Sequence, residues 1–147
     1  MAHESNHVVH HATSEEDFVK CFDVIQALRP HIEREGFIDL MFDMMDDGYH
    51  LTYIEKDGRA VSACGYRYLN FLFIGAHIYI DDLSTLPDYR GFGFASALLD
   101  HTIALAHEKG LAAVTLDSGH HRNDAHRLYL NKKFAITSHH FTLKLDQ

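Results

Sequence analysis

The stretch that decides the fold runs from Ile78 to Leu99, IYIDDLSTLPDYRGFGFASALL. Alternating apolar residues stop at two carboxylates, Asp81 and Asp82, and Pro87 breaks the pattern. Arg90, Gly91, Gly93 and Ala95 then lead into an apolar helical run. This reads as a buried strand, a turn, and a helix that opens on a glycine-rich loop. Backbone N–H groups of such a loop, followed by a helix N-terminus, form an anion site. Glycine lets the backbone come close enough to touch a phosphate because no Cβ intervenes. The stretch therefore points to a phosphate-bearing ligand held beside a pair of acids.

Upstream, Val8 to Thr13 reads as a short first strand. Thr13 or Ser14 caps a helix whose first turn holds Glu15, Glu16 and Asp17. Phe18, Cys21, Phe22, Ile25 and Leu28 form its apolar face, and Pro30 ends it. The pattern predicts a second helix from Ile32 to Met45, closed by Asp46-Asp47-Gly48. Tyr49 to Glu55 alternates as a strand, Lys56-Asp57-Gly58-Arg59 is a hairpin turn, and Ala60 to Phe73 is the returning arm. Ala76 to Ser84 follows as the next strand. Tyr66, Tyr68 and Phe71 to Phe73 read as core and sheet face.

Downstream, the helix after the glycine loop reaches about Lys109, with Gly110 as its C-terminal stop. Ala112 to Asp117 is a short buried strand, Ser118 to Arg122 a polar loop and Asp124 to Lys133 a helix. Phe134 to Leu145 reads as a final pair of strands or one bent hairpin. The segment from Ile78 to Leu116 is then a parallel crossover inside a mixed sheet.

Bulk properties narrow the function. The 147 residues favour a single domain, 1–147, with a sizeable core. A net charge of −8 argues against a general nucleic-acid binder and mildly favours an amine substrate. The two cysteines, Cys21 and Cys64, have no metal spacing and imply buried or reduced thiols. The start, MAHESNHVVHH, has no apolar leader segment, and no apolar run spans a bilayer, so a cytoplasmic protein without membrane association is expected. The histidines at 3, 7, 10 and 11 lack a fixed spacing, and no metal is expected.

The order of elements resembles the GNAT superfamily of acyl-CoA-dependent N-acyltransferases. Its loop pattern, Arg/Gln-x-x-Gly-x-Gly/Ala, stands here as Arg90-Gly91-Phe92-Gly93-Phe94-Ala95, preceded by Thr85-Leu86-Pro87. Its later pattern, Asn-x-x-Ala-x-x-Leu-Tyr-x-x-x-Gly-Phe, stands as Arg122-Asn123-Asp124-Ala125-His126-Arg127-Leu128-Tyr129, ending Lys133-Phe134. Arg122 occupies the asparagine position, with Asn123 one residue off, and Lys133 replaces the glycine. The resemblance covers essentially the whole chain. It implies an α/β (α+β) fold, a mixed, mostly antiparallel twisted sheet of about six or seven strands flanked by about four helices.

The resemblance also implies acetyl-CoA as co-substrate and direct attack by an amine in a ternary complex. It places pantetheine along Leu83, Ser84 and Thr85, and pyrophosphate on Arg90, Gly91, Phe92, Gly93, Phe94, Ala95 and Ser96. Arg122 and Asn123 would add to that cofactor site. Tyr129 matches the family tyrosine that acts as general acid at the CoA sulfur. On the strand, alternation puts His77, Tyr79 and Asp81 on one face, so Asp81 is the first choice for base or amine anchor. A bulge would reverse the phase and bring in Asp82. Ser118 and His126 are candidate substrate contacts, with His120 and His121 in the same polar loop. Phe37, Phe42 and Met45 are candidate walls of the substrate cleft. The leading reading is an N-acetyltransferase for a small amine. The alternatives are a non-catalytic acyl-CoA sensor and a protein lysine or N-terminal acetyltransferase. Homodimers through the final strands are a further arrangement that the resemblance implies.

Overall fold

The structure, a computed structural model, describes residues 7–119 and 122–146, and of Asn123 the backbone alone. They fall into two compact units, Met1–Leu116 and Asp117–Gln147.

The first unit is built on one five-stranded sheet in the order β1-β2-β3-β4-β5. Its strands are β1 (His10–His11), β2 (His50–Lys56), β3 (Arg59–Phe71), β4 (Gly75–Thr85) and β5 (Val114–Leu116). Neighbours are antiparallel except β4 and β5, which run parallel as the crossover requires. The helices of this unit are α1 (Glu15–Leu28), α2 (Phe37–Asp46) and α3 (Phe94–Glu108), with a short 3-10 turn at Pro87–Tyr89.

Local chemistry accounts for most of these ends. Ser14 caps α1 by accepting from the Asp17 N–H at 3.2 Å, while the Asp17 carboxylate accepts from the Ser14 N–H at 3.1 Å, a reciprocal capping box. At the β2–β3 turn, Asp57 and Gly58 both have positive φ, 53° and 82°, as a two-residue hairpin of this hand needs.

Helices cover both faces of the sheet. Cys64 of β3 meets Thr102 of α3 across 3.7 Å, whereas Ser84, which pairs with Ala63, donates to the Val24 carbonyl of α1 at 2.8 Å. Adjacent strand residues point to opposite faces, so α1 and α3 lie on opposite sides. Most of β2 and the first half of β3 are consequently buried on both faces. Both cysteines are free and buried; burial pushes the Cys21 thiol up and the Cys64 thiol up to about 12.

The second unit holds α4 (Asn123–Asn131). Lys133, at the family's glycine position, keeps a left-handed φ of 71°. The Phe134 N–H reaches the Tyr129 carbonyl and the Lys133 N–H that of Leu130, both at 3.0 Å. These two bonds close the helix end as a glycine would, in a Schellman arrangement.

Four expectations change. The first strand shrinks to His10–His11, and α2 starts at Phe37 because Gly36, with φ 80°, breaks the chain just before it. Residues 135–146 have no regular secondary structure, so the sheet has five strands rather than six or seven. Alternation in that tail supplies a face but no ladder partner among the described residues, and a strand needs both. Tyr66 is core, but Phe71, Leu72 and Phe73 form an exposed hairpin tip, Leu72 fully so. Among the described residues no helix is long and apolar enough to cross a membrane.

Candidate active site

The candidate site lies where β4 loses its regular pairing. Gly65 pairs with Asp82 but Tyr66 pairs with Ile80, so Asp81 is an extra residue in β4. A strand with one extra residue can send two successive side chains to the same side. Asp81 and Asp82 accordingly line one cavity of about 450 Å³, together with Tyr79 and Tyr49. Alternation and bulge both hold, and they bring the two acids together.

The two carboxylates are held differently. Asp82 is fully engaged. Its Oδ1 accepts from Arg29 Nε at 3.0 Å and lies in an ion pair 3.0 Å from Nη2, and its Oδ2 accepts from the Tyr49 hydroxyl at 2.7 Å. Arg29 Nη2 also donates to the Asp81 carbonyl at 3.0 Å, fastening the end of α1 to the bulge. Burial, and then the adjacent Asp82 charge, push the Tyr49 hydroxyl well above its ordinary value, so it stays a donor.

Asp81 is engaged on one side only. Its Oδ2 accepts from Arg67 Nε at 2.8 Å, while Oδ1 is buried without a hydrogen-bond partner. Burial raises its pKa above the ordinary carboxylate value, against the Arg67 bond that lowers it. A buried acceptor left unmade is costly, and a donor entering the cavity would relieve it. Arg67 is held in turn by the Asp47 carbonyl at 3.4 Å, with its guanidinium 5.3 Å from the Tyr49 ring centre.

Gly65 makes this arrangement possible. A Cβ there would sit 1.7 Å from the Tyr49 hydroxyl and 2.3 Å from the ring carbon bearing it. The bare backbone lets Tyr49 lie across β3 and reach Asp82. Sequence reading missed Arg29, Tyr49, Arg67 and Gly65, which are far apart in the chain. Only the acids at the end of a strand signalled the site.

The roof comes from α1, α2 and their connector: Ile25, His31, Ile32, Phe37, Leu40, Met41 and Met44. Residues 37, 40, 41 and 44 share one helical face. Phe42 and Met45 do not line the cavity; Phe42 packs edge-on against Phe18 at 4.9 Å. His77 alternates with Tyr79 but is buried, its Nδ1 2.8 Å from the Gly75 carbonyl and its ring against Phe71.

Beyond the bulge, β5 pairs only with Ile78, Tyr79 and Ile80. The Leu86 N–H donates to the Val61 carbonyl of β3 at 2.8 Å. Alternation then turns the Ser84 amide toward β3, and the Leu83 and Thr85 amides toward the side that β5 no longer covers. The Ser84 side chain points inward to Val24, and Thr85 Oγ1 lies 2.8 Å from Ser62 Oγ. Arg90 Nε donates to the Thr85 carbonyl at 3.4 Å, bridging strand and loop.

The loop ends at Gly93, the N-cap of α3. Gly91 and Gly93 have φ of 84° and 83°, and a Cβ at either would meet nothing within 4 Å. The first-turn N–H groups, from Phe94, Ala95 and Ser96, have no acceptor within the helix, so they can receive an anion. Phe92 is exposed, whereas the Phe94 ring is buried and packs on His7 at 4.6 Å. These features fit the phosphates and pantetheine of an acyl-CoA.

The remaining predicted residues belong to the second unit. Arg122 is the N-cap of α4, and Asn123 is its first residue. Tyr129 lies on the half-buried side of α4, 6.0 Å ring to ring from Phe134, and His126 is half-buried on the same helix. Ser118 Oγ is buried without a hydrogen-bond partner. His3, His120 and His121 lie outside the described residues. His7, His10 and His11 turn to Phe94, Tyr53 and His101 respectively, and no metal-binding group of three or more side chains occurs among the described residues.

Comparison with known proteins agrees with this fold. A family model described as "Acetyltransferase (GNAT) family" matches residues 15–134. The Bacillus subtilis (strain 168) protein named "Uncharacterized N-acetyltransferase YhdJ" is 30% identical over 131 residues, covering 88% of this chain and 92% of that one. A Trypanosoma brucei acetyltransferase structure superposes with a TM-score of 0.76 at 21% identity, covering 94% of this chain and all of the other. The aminoglycoside N-acetyltransferase AAC(6')-Iy, in complex with the bisubstrate analogue CoA-S-monomethyl-acetylneamine, gives 0.80 at 12% identity, covering 97% and 100%. At such identities the two structures speak for the fold alone. The family match spans most of the chain, and the protein belongs to the GNAT acetyltransferase family.

Proposed function

We propose that this acyltransferase moves the acetyl group of acetyl-CoA to the primary amine of a small molecule by direct attack in a ternary complex. The observation that carries this reading is the buried, unpartnered Oδ1 of Asp81 in the wall of the cavity. An alkylammonium, with a pKa near ~10, must lose a proton before it can attack a thioester. Asp81 would hold the ammonium and take its proton, directly or through one water. Its raised pKa brings it closer to the amine's than an ordinary carboxylate would be. Asp82, engaged by Arg29 and Tyr49, would fix the bulge and the electrostatics around Asp81 rather than receive the proton.

The Leu83 and Thr85 backbone would pair with pantetheine as an added strand does. Gly91, Gly93 and the first turn of α3 would hold the pyrophosphate, with Arg90 beside them. Arg122 and Asn123 are proposed as further cofactor contacts, and Ser118 and His126 as substrate contacts. Tyr129 would protonate the departing thiolate; this role rests on the family motif. The nitrogen–carbon bond forms as the carbon–sulfur bond breaks. The products are an acetamide and CoA. We read the two units as one functional domain, 1–147.

The test is CoA thiol release from acetyl-CoA with a panel of primary amines, repeated with Tyr129→Phe. Turnover that falls at least tenfold in the variant supports the reading. Tight acetyl-CoA binding with no amine consumed would instead favour the sensor.

A further inference from the structure

We infer that the acceptor is a monoamine with an apolar body, an alkyl- or arylalkylamine, rather than a polyamine, an aminoglycoside or a lysine side chain among polar neighbours. This deepens the proposed function and rests on it. The cavity has two unlike ends. Its roof is made by Ile25, Ile32, Phe37, Leu40, Met41 and Met44, all apolar, with His31 in the connector as the one hydrogen-bonding side chain beside them. Its floor offers one unmade acceptor, Asp81 Oδ1, because both oxygens of Asp82 are already bonded.

One unmet carboxylate oxygen matches one ammonium. A second ammonium would have to lie against thioethers and aliphatic carbons, where an unpaired charge is expensive. Nearer the floor it would meet the Arg29 guanidinium, which lines the same cavity and carries the same charge. A hydroxyl-rich sugar would find few partners on that roof. An apolar body gains there, about 0.8 kcal/mol per buried methylene, or roughly fourfold in kcat/KM. Glu33 and Glu35 border the neighbouring cavity of about 510 Å³. Both are solvent-exposed, so water screens them.

The experiment measures CoA release by the full chain at saturating acetyl-CoA. The amines are the n-alkyl series from butyl to octyl, 2-phenylethylamine, spermidine, kanamycin and a lysine peptide. We expect kcat/KM to climb about fourfold per methylene before levelling off. 2-Phenylethylamine should exceed spermidine and kanamycin at least tenfold. Leu40→Asp, at a partly exposed position, should fold normally by circular dichroism and shift preference toward spermidine. A flat alkyl series, or wild-type preference for spermidine, kanamycin or the peptide, overturns the inference while leaving the acetyltransferase reading intact. Acetyl-CoA binding with no amine consumed overturns both.

Discussion

The floor of the cavity and the glycine loop meet along one strand, yet they are built by opposite means. The floor is assembled from Arg29, Tyr49, Gly65, Arg67, Asp81 and Asp82, drawn from four separate parts of the chain. Its polar atoms are bonded to one another, with one buried exception. The loop is a single run, Arg90 to Ser96, and its donors are the backbone N–H groups of Phe94, Ala95 and Ser96, which have no acceptor within the helix. The loop is a general anion cradle set by local backbone geometry. The floor is specific, because its charge balance leaves one acceptor unmade. On the proposed reading, the floor and its apolar roof would distinguish the acceptor, and the loop would hold the acyl-CoA phosphates.

The largest effect should separate the two acids. Asp81→Asn is expected to lower kcat about 100- to 1,000-fold while lowering the unfolding midpoint less than Asp82→Asn does, because only Arg67 loses a charged acceptor. The carboxylate must be ionised to act, and burial raises its pKa, so the acid limb of kcat/KM should lie above the ordinary value of 3.8 and vanish in the variant. Asp82→Asn should instead lower stability by about 2 kcal/mol in urea unfolding, because Arg29 and Tyr49 lose a charged acceptor. Equal activity losses with no stability difference would erase the distinction between the two acids.

Gly65→Ala is the next test and addresses assembly of the floor. The new methyl would collide with the buried Tyr49 ring, for about 1–3 kcal/mol of destabilisation. Displaced Tyr49 would also release Asp82, so amine KM should rise while acetyl-CoA KM holds. An unchanged melting temperature would show that Tyr49 moves aside freely. The smallest effect is expected in the loop. Gly93→Ala meets no neighbour but keeps a positive φ, at about 1 kcal/mol. Acetyl-CoA KM should rise a few-fold with amine KM constant. The reverse split would assign the loop to the amine.

Local patterns carried far into this protein. Ser14 with Asp17, Asp57-Gly58, Gly93 and Gly110 are turns and caps whose reasons lie within a few residues of themselves. The chain from Ile78 to Leu116 read correctly as strand, helix and parallel strand, because apolar periodicity encodes burial directly. The tail was misread for the complementary reason. Phe141, Leu143 and Leu145 alternate, but a strand exists only beside another. Position on the early helices makes Phe42 and Met45 candidates for the cleft wall, whereas helical phase turns Leu40, Met41 and Met44 there instead.

By itself the sequence determined the order of elements, the glycine loop, the acids at the end of β4 and the family. Those features depend on propensity, periodicity and short motifs, all of which are local in the chain. Tertiary structure alone decided which oxygen is left unmade. That outcome depends on Arg29 crossing from α1 to Asp82, on Arg67 reaching Asp81, and on Gly65 leaving space for Tyr49. Each is a contact between residues far apart in sequence, where charge balance and excluded volume, rather than local pattern, choose the partner.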